Sequence, residues 1–99
     1  MLIVSKTIEN GKAVFTLEGR LDTTTAPQLE NELKSSLDGV KDLTLDLSAL
    51  DYISSAGLRV LLTAQKMMNT KGQMRICGVN ETVMEIFDIT GFANILTIV

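Results

Sequence analysis

Ninety-nine residues, 45% hydrophobic and 21% charged with a single Pro, describe one folded domain spanning 1–99 rather than a disordered tail, and the 4% aromatic share points to an aliphatic core. The chain has no His, no Trp and one Cys, which excludes His-based acid/base catalysis, Ser–His and Cys–His nucleophile pairs, Cys/His zinc sites, disulfides and CxxC redox chemistry. A net charge of −3 without a basic run argues against nucleic acid and anionic membrane as partners and leaves a protein or a small ligand.

Leu2 to Ile8 and Lys12 to Gly19 read as two strands joined by Glu9-Asn10-Gly11, because Asn-Gly between alternating apolar residues is a strong hairpin signal. Thr25 with Gln28 three residues later forms a plausible capping box, and Pro27 suits a first helical turn, where a missing N–H costs nothing. The helix predicted there carries Leu29, Leu33 and Leu37 on one stripe and stops at Asp38-Gly39. Leu43 to Leu47 alternates as a strand, and Ser48 to Ser54 reads as a connection.

A second helix is predicted from Ser55 to about Thr70. At 100° per residue, Leu58, Leu61, Leu62, Ala64 and Met68 share one face, Arg59, Thr63, Lys66 and Thr70 another, and Ala56, Val60 and Met67 a stripe between them. Lys71-Gly72 ends that helix and Met74 to Val79 reads as a buried strand. Asn80 caps a third helix over Thr82 to Ile89 with Val83, Ile86 and Phe87 on one side. Gly91 closes it, and Ala93 to Val99 reads as a last strand. The order β-β-α-β-α-β-α-β implies an α/β domain with a mixed sheet, its parallel strands joined by right-handed crossovers and its helices packed on the sheet.

Ser54 and Ser55 stand where a strand hands over to a helix, the end of an α/β sheet at which loops carry function. Two readings stay open there: one of these serines simply caps the helix, or Ser55 carries a phosphoryl group tolerated by the positive helix end. Gly57 inside the first turn costs roughly 1 kcal/mol relative to Ala, which implies tight helix-to-sheet packing or access for another surface. The Ala56, Val60, Met67 stripe is either the edge of the core or an adaptable strip beside the serines. Asp22, Asp46 and Asp51 near predicted strand ends suggest Mg²⁺ binding or acid/base work, against ordinary roles as outward or loop residues. Cys77 in an apolar strand reads as a buried thiol, and no phosphate-binding glycine loop occurs. No apolar run reaches the roughly 20 residues of a membrane span, and the amino terminus turns polar too early for a signal peptide. A cytoplasmic protein with a reduced Cys77 is expected.

These residues together resemble the STAS family (sulfate transporter and anti-sigma factor antagonist domains), and within it the small stand-alone bacterial antagonists. The resemblance rests on Gly19-Arg20-Leu21-Asp22 with Thr25-Ala26, the Leu43–Leu47 strand, Tyr52-Ile53-Ser54-Ser55-Ala56-Gly57-Leu58, Cys77-Gly78-Val79 and Ile86-Phe87-Asp88-Ile89-Thr90-Gly91. In members that switch by phosphorylation the junction commonly reads Asp-Ser-Ser/Thr-Gly-Leu, and the first Ser accepts phosphate from an anti-sigma factor that is itself a serine kinase. Aligning on Gly57-Leu58 puts that acceptor at Ser55, with Ser54 in place of the family Asp and Ala56 in place of the second hydroxyl. The chain ends at Val99, whereas many relatives continue into a carboxy-terminal helix, so some sheet surface is expected to be less covered.

The resemblance implies a non-enzymatic antagonist without cofactor or metal, acting as a monomer in the cytoplasm. Unmodified, it would bind an anti-sigma factor serine kinase and release a sigma factor. Phosphorylation at Ser55 would end binding, and a serine phosphatase would reset the switch. Asp22, Ser54, Ala56, Gly57, Arg59, Val60, Thr63 and Met67 are the implied partner-binding residues, Asp22 in a supporting part. The departures at Ser54 and Ala56 keep open a STAS adaptor subunit of a transporter or signalling complex that is never phosphorylated. A Mg²⁺-dependent hydrolase or phosphotransferase built on the Asp residues is disfavoured by the missing His and phosphate loop.

Overall fold

The computed structural model describes residues 1–99 and opens with the hairpin that Asn-Gly predicts: β1 (Leu2–Glu9) and β2 (Lys12–Leu21) pair antiparallel with Glu9 opposite Lys12. Asn10 (φ 52°) and Gly11 (φ 78°) both take the left-handed region, as a two-residue turn matching the strand twist requires. α1 (Ala26–Ser36), β3 (Asp42–Ile53), α2 (Ser55–Lys71), β4 (Gln73–Cys77) and α3 (Glu81–Thr90) follow. The strands form one sheet in the order β1-β2-β3-β4, with β2–β3 and β3–β4 parallel. Both crossovers step the same way across the sheet, so their common handedness lays α1 and α2 side by side on one face.

Strand alternation sorts the two faces. Ala13, Phe15 and Leu17, then Leu43, Leu45 and Leu47, then Met74 and Ile76, are buried in one cluster with Leu29 and Leu33 of α1 and Leu58, Leu61, Ala64 and Met68 of α2. The opposite residues of the same strands are polar or half-exposed, and there Arg75 clasps both carboxylate oxygens of Asp42 at 2.9 Å. The core is aliphatic except for Phe15 and Phe87, which are fully buried.

Three local readings of the sequence are corrected. Ser48 to Ile53 is not a connection but the second half of β3. Two register shifts against β2 each place an extra residue on β3, and these bulges break the alternation by which a strand is recognised. Thr25 occupies the N-cap of α1 without capping it: its hydroxyl donates to Arg20 O (2.8 Å) and accepts from Asp22 N–H (2.9 Å), while Gln28 donates to Leu2 O (3.1 Å). The final run forms a 3₁₀ turn over Phe92–Asn94, and the last β element shrinks to a single parallel bridge of Ile98 beside Ile76. Phe92, Ala93, Leu96 and Ile98 pack on the core instead of extending as a ladder.

Candidate functional site

β2 and β3 finish together. Leu21 pairs with Ile53, and Ser54 N–H donates to Leu21 O at 2.9 Å, so the segments leaving the two strands, Asp22–Thr25 and Ser54-Ser55, open at the same end of the sheet. That is the carboxyl end of the parallel strands, where α/β sheets place their binding crevices.

The two serines divide the work. Ser54 lies in extended backbone as the N-cap of α2, its Oγ accepting Gly57 N–H at 3.3 Å and its carbonyl accepting Leu58 N–H at 2.9 Å. Ser55 is exposed, and its hydroxyl makes no hydrogen bond within the chain. Capping therefore belongs to Ser54 alone, which settles which of the two serines caps the helix.

Gly57 is buried and faces the sheet. A Cβ there would stand 2.7 Å from Leu21 Cγ and 2.9 Å from both Ile53 Cγ1 and Leu21 O, so packing explains this glycine. It presents nothing to a partner, a correction to its place among the implied contact residues. Ala56, Arg59, Val60 and Thr63 of α2 do gather: with Thr23, Ala26, Pro27 and Glu30 they line a groove of about 200 Å³ between the starts of α1 and α2. Val60 is 6% exposed and belongs to the core, so it can serve only as floor. Met67, two turns further along α2, packs half-buried against the core away from this groove.

Asp22 organises the other side. Its Oδ1 accepts from Thr24 N–H (3.0 Å), Thr24 hydroxyl (2.8 Å) and Thr25 N–H (3.1 Å), and lies 3.2 Å from the Thr25 hydroxyl, whose single proton it shares with Arg20 O. The Thr24 hydroxyl first, and then the remaining donors, hold its carboxyl down at about 2 against the raising effect of partial desolvation. Arg20 reaches its Oδ2 at 3.7 Å and lies over the Tyr52 ring at 4.4 Å, fastening the ends of β2 and β3 to each other. Thr24, Glu30, Pro27 and Arg20 escaped the sequence reading as site residues. The signal for Thr24 was present, since an Asp followed by hydroxyl residues is an Asx-turn pattern.

The acidic trio does not assemble. Asp46 sits mid-strand accepting from Ser48 N–H (2.9 Å) and hydroxyl (2.7 Å), which lowers its pKa, while Asp51 is exposed elsewhere on β3, and no three acidic, His or Cys groups converge. Cys77 is half-buried, its thiol pKa raised by burial and then by the nearby Asp46 charge, which disfavours the reactive thiolate. No helix is long and apolar enough to cross a membrane.

The family model for the STAS domain matches residues 4–99. The chain belongs to the STAS domain family. The STAS domain family is non-catalytic. Among relatives, this STAS domain is 41% identical over 91 residues to BtrV of Bordetella bronchiseptica, provisionally named an anti-sigma factor antagonist, covering 90% of this chain and 78% of that protein. It is 30% identical over 91 residues to the anti-sigma F factor antagonist of Paenibacillus polymyxa, covering 89% and 78%. Its fold matches the crystal structure of an anti-sigma factor antagonist from Mycobacterium paratuberculosis with a TM-score of 0.89 at 21% identity, over 99% of this chain and 85% of that one. The phosphorylated form of SpoIIAA from Bacillus has the same fold, with a TM-score of 0.75 at 15% identity over 100% and 91% of the chains.

Proposed function

We propose that this STAS domain is an anti-sigma factor antagonist that works by partner switching, with Ser55 as the residue that is switched. The observation that carries the reading is the Ser55 hydroxyl: exposed, free of hydrogen bonds, and relieved of capping by Ser54 at the mouth of the α1–α2 junction. Unmodified, the domain binds an anti-sigma factor serine kinase through this junction and the groove of Ala56, Arg59 and Thr63, and a sigma factor is released. The kinase then moves the γ-phosphoryl group of ATP to Ser55 Oγ, breaking the bond between the γ-phosphorus and the β–γ bridging oxygen, and ADP and the proton of the hydroxyl leave. The product carries about −1.5 to −2 further charges and three acceptor oxygens at the contact surface, which ends binding without refolding. A serine phosphatase resets the switch, and both partners meet the protein in the cytoplasm. The relatives named as anti-sigma factor antagonists support this reading over the bare fold.

A second reading has its own observation. Ser54 and Ala56 stand where the switching pattern has an acid and a second hydroxyl, which favours a STAS adaptor that binds a protein partner and is never phosphorylated. Incubation with the cognate kinase and ATP, followed by mass spectrometry, separates the two. Phosphate on Ser55, lost in Ser55→Ala, is expected; an unmodified chain in a complex that nonetheless forms selects the adaptor.

A further inference from the structure

Of the three arginines, Arg20 lies on Tyr52 beside Asp22 and Arg75 clasps Asp42, but Arg59 has neither an ion pair nor a side-chain hydrogen bond. It is exposed and lines the groove between α1 and α2. The only carboxylate among the groove residues, Glu30, turns to Lys34 on its own helix at 3.0 Å. Ser55 precedes Arg59 by four residues in α2, so the two share one flank with Cβ atoms about 5–6 Å apart, and an anion N-terminal to a cation is the favourable order. The N–H groups of Ser55 and Ala56 point out of the same turn without acceptors, since the hydroxyl and carbonyl oxygens of Ser54 accept only from Gly57 and Leu58.

We propose that Arg59 is the phosphate-receiving residue of this domain: it pairs with the phosphoryl group on Ser55 and, in the unmodified chain, is open to a carboxylate of the protein partner. The proposal rests on Ser55 being the acceptor. Modification then acts twice at one place. It adds an anion, and it withdraws the one free cation of the groove from the partner. Asp22 is held by Thr24 and Thr25 and Asp51 lies on β3, so neither displaces the phosphate from Arg59.

The test installs phosphoserine at position 55 during synthesis of the chain, so it needs no kinase, and follows the second ionisation of the phosphate, about 6 in free phosphoserine, by phosphorus NMR. In the parent this ionisation is expected about 0.5 pH unit below that in Arg59→Met, because the dianion gains a charge-assisted partner. Arg59→Lys should recover part of the gap, and about 1 M salt, where the Debye length is about 3 Å, should close most of it. Equal ionisation in the parent and Arg59→Met at low salt overturns the proposal. If the pair forms in a chain that no kinase modifies, the switch reading falls and the pair stands; if the kinase modifies Ser55 and the two ionisations coincide, the reverse holds.

Discussion

Of two adjacent serines, Ser54 caps α2 and Ser55 leaves its hydroxyl free, a contrast that can be read in stability. Ser54→Ala removes the acceptor for Gly57 N–H and is expected to lower unfolding free energy by about 1 kcal/mol. Ser55→Ala removes an exposed hydroxyl without a partner and should stay within about 0.5 kcal/mol of the parent. Urea titration of both variants reads the difference, and equal losses would reassign the cap. Gly57→Ala sets roughly 1 kcal/mol of helix propensity against a Cβ forced to within 2.7 Å of Leu21, where overpacking costs about 1–3 kcal/mol, so a net loss of stability is expected by the same titration. Asp22 carries a pH signature. Its folded pKa is about 2 against 3.8 for an unconstrained carboxyl, so its contribution is fully present above pH 3.8 and is lost as pH falls through 2. The thermal midpoint of the parent should fall toward that of Asp22→Asn between those values, and a constant gap across the window would contradict it. The place of Ser55 at a strand-to-helix junction was legible in the sequence. The cap was not, because Ser54 and Ser55 have the same side chain and only backbone geometry separates them.

The elements were legible wherever one period ran unbroken. The Asn-Gly turn, the Leu29–Leu33 stripe, the alternation of Leu43–Leu47 and the Asn80 cap, which accepts Val83 N–H at 2.9 Å, stand where patterning put them. Patterning failed where residues face inward for another reason. The bulges of β3 shift the parity at Ser48 and Asp51, and Leu96 and Ile98 are apolar because they seal the core rather than because they lie in a ladder. That last segment is held to β4 by only two backbone hydrogen bonds, Ile76 N–H to Thr97 O (2.8 Å) and Val99 N–H to Ile76 O (2.9 Å). Few bonds and exposed neighbours mean a low local opening free energy. Amide exchange from Ile95 to Val99 should therefore run well ahead of that in β2 and β3. Protection equal to β3 would mean that the segment opens only with the whole fold.

At the scale of the whole molecule, the proposed switch at Ser55 would act where the fold yields least. The sheet rests on a single cluster of 25 buried residues, and Ser55 lies outside it at the end of two neighbouring strands. Ser54 N–H to Leu21 O and the Arg20–Tyr52 stack tie those ends together, so the junction has no loop slack through which a new charge could move the core. Phosphorylation takes the net charge from −3 to roughly −5, a change in surface field rather than in packing. Interfaces respond to such a change even when their backbone stays put, because taking the phosphate and its Arg59 partner out of water costs several kcal/mol per ion. The expected result is an NMR comparison in which amide shifts between unmodified and phosphorylated chain are confined to Asp22–Glu30 and Ser54–Thr63, while β4 and α3 stay unmoved. Loss of kinase binding should accompany those local shifts. Shifts reaching Met74–Cys77 or Val83–Phe87 would mean that the modification repacks the core, and the switch would then be conformational rather than a matter of surface charge.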